Sequence, residues 1–83
     1  MLRRYWFEFE GTVPYSNLNL GCGITAYDKS DALKILEKRV FPLFEVRKIA
    51  KIVEDIDIRT LEESHVRPNM GSPVVHGVWF PKI

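Results

Sequence analysis

A single segment of this chain has the periodicity of an amphipathic helix, and this limits the folds that the chain can adopt. In DKSDALKILEKRVFP, residues 28–42, apolar side chains recur along one side and charged side chains along the other. Asp28 or Ser30 can cap the first turn, and Pro42 predicts an end near residues 39–40. The apolar stripe consists of Ala32, Leu33, Ile35, Leu36 and Val40. One helix can cover only one face of a sheet.

Strand periodicity precedes this helix. RRYWFEFEG, residues 3–11, alternates large aromatic side chains on one face with Trp6 and two glutamates on the other, which is typical of a half-buried strand. The aromatic face consists of Tyr5, Phe7 and Phe9. LGCGITAY, residues 20–27, predicts a second strand, and Gly21 and Gly23 within it predict a bulge or a close backbone approach.

Two further strands are predicted after the helix. EVRKIAKIVEDIDIRT, residues 45–60, fits either periodicity, but its branched residues and the alternation in IDI favour a strand. GVWFPK, residues 77–82, predicts a last strand that Pro81 ends or confines to an edge. The sequence therefore predicts one compact α+β domain over residues 1–83. Its sheet is four-stranded and mainly antiparallel, in the order β-β-α-β-β, with one helix packed on one face.

Strand alternation assigns the remaining aromatic residues to the two faces of this sheet. If Tyr5 faces the helix, Trp6 and Trp79 face away from it, while Val78 and Phe80 face it. Two exposed tryptophans would form an apolar surface, which favours a homodimer or another interface. The alternative is that the long loop of residues 60–76 folds over them as a second cover, and the sequence leaves both possibilities open.

Composition narrows the classes of function. Twelve basic and eleven acidic side chains give a formal net charge of +1, which supplies no overall field for nucleic acid or for an anionic membrane. No apolar stretch is long enough to span a bilayer, and the first ten residues lack the apolar core of a signal peptide. Cys22 is the one cysteine, so no internal disulfide forms. We expect a cytoplasmic protein that does not contact membranes.

Metal, cofactor and nucleophile chemistry all lack a supporting motif. Cys22, His65 and His76 do not have the paired spacing of zinc ligands, and the glycines of GCG and NMG match no nucleotide-binding loop. We therefore predict no metal, no cofactor and no catalytic residue. A small enzyme that uses Cys22 and His65 remains a third alternative, although no local signature of a cysteine enzyme accompanies it.

The C-terminal third carries a family resemblance. LEESHVRPNMGSPVVHGVWFP, preceded by EDIDI and by GCGITAYDKSDAL, resembles a family of small bacterial proteins of uncharacterised function. The resemblance covers most of the chain. It implies a compact bacterial cytoplasmic domain, and it brings no catalytic residue with it.

The densest group of polar side chains lies in SHVRPNMGSPVVHGVWF, residues 64–80. Turn residues hold this loop, and it leads directly into the strand that carries Trp79. The predicted binding site consists of His65, Arg67, Asn69, His76 and Trp79, with Trp6 on its floor. Arg67 would anchor an anion or carboxylate, and the tryptophans would supply apolar contact.

These residues predict a non-enzymatic binding or regulatory module that uses the C-terminal loop and the open sheet face. Its partner is either an unknown protein or a small anionic ligand. The alternative is single-stranded nucleic-acid binding through exposed Trp6 and Trp79, because bases stack on exposed aromatic rings. The near-neutral charge makes nucleic acid the less favoured partner.

Overall fold

Four antiparallel strands form one sheet in the computed structural model of this protein, which describes residues 1–82. The strands are β1 (Arg3–Phe9), β2 (Cys22–Ala26), β3 (Ile49–Glu54) and β4 (Gly77–Phe80), in the spatial order β3-β1-β2-β4. Every neighbouring pair is antiparallel. The helix α1 (Lys29–Ile35) connects β2 to β3, which lie on either side of β1. The predicted α+β fold is confirmed.

The helix begins where the sequence predicts, and although α1 itself ends at Ile35, a π-helical turn continues the helical segment to Val40, close to the predicted end. The Asp28 side chain caps α1 by accepting the backbone N–H of Asp31 at 2.8 Å. After α1 the chain continues through a π-helical turn, Leu36–Val40, in which the N–H of Phe41 donates to the carbonyl of Leu36 at 3.0 Å. Pro42 follows this turn, and a proline disfavours helical continuation.

The helix-side core lies between α1 and one face of the sheet. Its buried sheet residues include Tyr5, Phe7 and Ile24, and the apolar stripe of the helix packs against them. Cys22 and Ala26 belong to the same cluster, as predicted, because every second residue of a strand lies on the same face. Leu18 is fully buried here as well, and it holds the connection between β1 and β2 against the core.

The opposite face of the sheet carries a second core instead of an open surface. Trp6 is 4% exposed and Trp79 is 0% exposed, and their rings stack with centroids 5.8 Å apart. The chain after β3 covers them with Leu61, Val66, Met70, Ile56 and Ile58. The predicted exposure of the tryptophans is therefore wrong, and the alternative of a covering loop is confirmed. The apolar surface on which the homodimer and nucleic-acid predictions depended is not accessible.

A bulge in β4 changes the face on which Phe80 lies. Gly23 pairs with Phe80 and Ile24 pairs with Val78, so that Trp79 is one extra residue in β4. Val78 packs against the helix-side core as predicted, whereas Phe80 joins the tryptophans, with its ring 5.7 Å from that of Trp6. The prediction for Phe80 is wrong, because the extra residue of a bulge moves the side chains that follow it to the other face of the sheet.

Two glycines at the start of β2 make room for the tryptophans. A Cβ atom at Gly21 would overlap the ring of Trp6. The backbone φ of Gly21 is +123°, a value that residues other than glycine rarely adopt. A Cβ atom at Gly23 would overlap the ring of Trp79. The predicted close approach is confirmed at both glycines, whereas the extra residue of the bulge lies opposite Gly23 in β4 and not in β2.

The ambiguous segment, residues 45–60, is a strand only in its middle. β3 covers residues 49–54, and there the choice of strand over helix is confirmed. Beyond it the prediction is wrong. Asp55 adopts a φ of 54° and accepts a hydrogen bond from Arg3 at 3.0 Å, and Asp57 caps a short 3-10 helix, Ile58–Thr60. Asx side chains favour such turns because they satisfy nearby backbone groups.

Arg47, just before β3, is a buried charge whose hydrogen bonds connect its own segment to the two ends of the loop between β1 and β2. Its guanidinium donates to Asn19 Oδ1 at 3.1 Å, to Glu45 Oε2 at 2.9 Å and to the Gly11 carbonyl at 2.9 Å. A buried charge is tolerated only with such partners. Glu45 also accepts a hydrogen bond from Ser16 at 2.7 Å, so the network fixes the loop between β1 and β2.

Substituting Gly23 tests the packing of the tryptophan core. We expect Gly23→Ala to lower the free energy of unfolding by about 1–3 kcal/mol, the usual cost of overpacking a core. Gly71→Ala is a matched control, because a Cβ there would lie 3.8 Å from its nearest atoms in Trp79, an ordinary contact. Urea unfolding followed by tryptophan fluorescence gives both values. Equal stabilities for the two variants would contradict the packing described here.

Candidate functional site

A cavity of about 470 Å³ lies where β4 ends. One wall comes from the chain between β1 and β2, another from the covering loop, and the floor from the residues at the end of β4 and just after it. The lining residues are Asn17, Leu20, His65, Pro68, Asn69, Phe80, Pro81 and Lys82. Four of these are apolar and four carry polar or charged groups, so the lining offers both apolar contact and hydrogen-bonding groups.

The wall between β1 and β2 is a short 3-10 helix, Asn17–Asn19. Ser16 caps it by accepting the N–H of Leu18 at 3.2 Å. Leu18 points into the helix-side core and is fully buried, which fixes the turn and leaves Asn17 and Leu20 at the surface of the cavity. The Arg47 network holds the other end of the same turn through Asn19.

The opposite wall is another short 3-10 helix, Arg67–Asn69, in the covering loop. Val66 precedes it and is buried against the tryptophans. The side-chain amide of Asn69 donates to the His65 carbonyl at 2.7 Å, and its backbone N–H donates to the Val66 carbonyl at 3.0 Å. These bonds give His65 and Asn69 defined positions on the wall, so the wall is preformed.

A carboxylate orients the ring of His65. Glu62 Oε2 lies 2.9 Å from His65 Nδ1 and also accepts the backbone N–H of His65 at 2.9 Å. Burial alone would raise the pKa of Glu62, but hydrogen bonds from the Ser64 and His65 backbones and from the His65 ring outweigh it and lower that pKa. The ionised carboxylate favours the tautomer with a proton on Nδ1, which leaves Nε2 as the second hydrogen-bonding atom of the ring.

The structure brings only two of the six predicted site residues into the cavity. His65 and Asn69 line it together. Arg67 does not, because its guanidinium lies 3.2 Å from Glu63, four residues before it on the same loop. The prediction of Arg67 as the anion anchor is not supported by this position. Lys82 is the cation that lines the cavity.

His76 lies at the other end of β4. Its Nε2 is 2.8 Å from Asp31 Oδ2, near the first turn of α1, and the ring of Tyr27 packs against it with centroids 5.1 Å apart. Asp31 also accepts the backbone N–H of Tyr27 at 3.1 Å. The pair fastens the chain that enters β4 to the helix, and it is separate from the cavity.

Trp6 and Trp79 lie beneath the loop and do not line the cavity. Within residues 1–82, the indole Nε1 of Trp79 is a buried donor without a hydrogen-bond acceptor. Phe80, which is 2% exposed, is the aromatic residue among those that line the cavity. Sequence reasoning missed Asn17, Leu20, Pro68, Phe80, Pro81 and Lys82 as site residues. Asn17 and Leu20 carry no local signal, since only the tertiary fold brings them to the C-terminal segment.

Cys22 and His65 lie on opposite faces of the sheet and are not in contact. Cys22 is fully buried in the helix-side core, and burial raises the pKa of its thiol far above the usual value. His65 belongs to the loop that covers the opposite face of the sheet. The sheet therefore separates the nucleophile from the base that the enzyme alternative requires.

The part of the chain that the structure describes holds neither a metal cluster nor a membrane-spanning helix. Residues 1–82 contain no group of three or more His, Cys, Asp or Glu side chains arranged to hold a metal ion. In the same residues, none of the helices has the length and apolarity required of a membrane span.

Comparisons with family models, curated proteins and solved structures found no match to this chain. The resemblance to small bacterial proteins therefore stays a prediction. The function must be inferred from the site itself.

Thiol labelling tests the burial of Cys22. A neutral thiol enclosed by the helix-side core should react with a maleimide reagent only when the chain unfolds. We expect negligible labelling of the folded protein and complete labelling in denaturant, measured by mass spectrometry. Rapid labelling under native conditions would contradict this burial and would revive the cysteine alternative.

The pair of Asp31 and His76 predicts a pH dependence of stability. Hydrogen bonds from His76 and from the Tyr27 backbone lower the pKa of Asp31 from its usual 3.8. A carboxyl with a lower pKa in the folded chain stabilises the fold above its unfolded pKa, and this contribution is lost as pH falls through the folded value. Asp31→Asn keeps an oxygen acceptor for Tyr27 but removes the titrating group.

The stability of the native protein should therefore exceed that of Asp31→Asn at about pH 6, and the difference should shrink towards about pH 2. Urea unfolding across this range measures it. Two parallel stability curves would show that ionisation of Asp31 does not contribute to stability.

Proposed function

We propose that this protein is a non-enzymatic binding module and that the cavity at the end of β4 is its site. The observation that carries the proposal is the cavity itself. Its volume of about 470 Å³ lies within the roughly 300–1,000 Å³ that is usual for small-molecule sites. Half of its lining is apolar and half can hydrogen bond, so it can both desolvate a ligand and orient it.

The construction of the walls supports binding without a large rearrangement. Leu18 and Val66 anchor the two walls in the two cores, and the Asn69 and Ser16 side chains fix the turns beside them. A site that is already ordered loses little conformational entropy when a ligand enters. The open sheet face, which the sequence suggested as part of the site, takes no part in this proposal because the loop covers it.

A non-catalytic role is supported by the chemistry of the lining. Among the eight lining residues, His65 and Lys82 are the groups that can exchange a proton, and the lining includes no serine, threonine or cysteine. Nucleophilic catalysis needs a nucleophile and a base within hydrogen-bonding distance. The proposal includes a cytoplasmic location, which suits a chain whose one cysteine is a buried free thiol.

Fragment screening by NMR tests the site. A library of small acids, amides and amines is titrated into ¹⁵N-labelled protein, and we expect shifts in the side-chain amides of Asn17 and Asn69 and in the backbone N–H of Lys82. Leu20→Trp should fill the entrance and abolish these shifts, since Leu20 lines the cavity and is 41% exposed.

Leu43→Trp is the matched control, because Leu43 is 64% exposed and does not line the cavity. It should bind the same fragments as the native protein. Fragments that bind equally to both variants, or no fragment binding at all, would overturn the proposed site.

A further inference from the structure

We infer that the cavity selects a small organic monocarboxylate, with Lys82 as its anchor. This rests on the proposed function and adds to it the chemical class of the ligand. The inference starts from the charge of the lining. Lys82 carries the permanent charge among the lining residues, and none of the eight is acidic. Among the described lining residues, one cation and no acidic side chain favour an anion over a neutral molecule or an amine.

The two acidic side chains of the covering loop already have hydrogen-bond partners. Glu62 accepts hydrogen bonds from the His65 ring and backbone, and Glu63 is paired with Arg67. Within residues 1–82, Lys82 forms no salt bridge. An anion that enters the cavity therefore does not have to displace a carboxylate of the described chain from Lys82.

The other polar groups of the cavity can complete the coordination of a carboxylate. Asn17 and Asn69 bring side-chain amides, and one N–H of Asn69 is already used on the His65 carbonyl, so the second can point to a ligand. The ammonium group of Lys82 adds further donors to the same lining. A carboxylate has two oxygens and about four acceptor positions, which match these donors.

The single cation distinguishes a monocarboxylate from a phosphate. Phosphate groups carry more charge, and the sites that hold them usually add an arginine fork or a row of backbone N–H groups to any lysine. The arginine of this loop, Arg67, is paired with Glu63 and lies outside the lining. One lysine neutralises the single charge of a monocarboxylate. The free energy of removing that neutralised pair from water is smaller than for a phosphate, which keeps an uncompensated charge.

The apolar part of the lining indicates which apolar group the carboxylate ligand contains. Phe80 and Leu20 face the cavity with Pro68 and Pro81, and this surface suits an aromatic ring or a short aliphatic chain. A ligand with one charged end and one apolar end would satisfy both halves of the lining. Phenylacetate is such a molecule, and phenylacetamide and phenethylamine keep its ring and differ in charge.

These three probes test the inference by NMR titration at low salt. We expect phenylacetate to bind at least about tenfold more tightly than the amide or the amine, as a charge-assisted hydrogen bond contributes. Lys82→Gln should weaken phenylacetate binding about tenfold and leave phenylacetamide unchanged. Lys38→Gln makes the same change of charge at an exposed lysine outside the cavity, and it should behave as the native protein.

The outcomes separate this inference from the proposed function. If other fragments bind in the cavity but phenylacetate does not, or if the three probes bind equally, the carboxylate assignment is overturned and the binding module stands. An equal loss of phenylacetate binding in Lys82→Gln and Lys38→Gln would show a general charge effect and would also overturn the assignment. If no probe or fragment binds, both proposals are overturned.

Discussion

The stack of Trp6 on Trp79 is the interaction on which the rest of the structure depends. A sheet with one helix has a second face that water would otherwise reach, and here two indoles and Phe80 fill it. The C-terminal loop packs on this aromatic layer through Leu61 and Val66. Because the same loop forms one wall of the cavity, the site exists only where the tryptophans hold the loop in place.

The sequence predicted the architecture because its patterns are local. The helical stripe and the alternation of β1 each depend on residues a few positions apart, and the structure confirms both. Phe80 was assigned to the wrong face because strand parity holds only until a bulge, and the extra residue at Trp79 reverses it. The glycines of GCG signalled that a bulge or a close approach was present, but not which strand contained the extra residue.

The site could be predicted only in part, for a different physical reason. His65 and Asn69 share a tight turn, and their proximity follows from the sequence. Arg67 and His76 each have an acidic partner outside the cavity, and such pairing depends on the exact path of the backbone. Asn17 and Leu20 reach the cavity because Leu18 is buried and Arg47 fixes the turn. These are long-range contacts, and no periodicity encodes them.

The separation of the two cavity walls along the chain has a thermodynamic consequence. One wall comes from residues 17–20 and the other from residues 65–82, so the cavity forms only when both cores and the β2–β4 pairing are complete. A ligand held there binds the native state and not the unfolded chain. Mass action then stabilises the whole domain by an amount that rises with the logarithm of ligand concentration. Occupancy of one small site would thus be coupled to the stability of the entire fold.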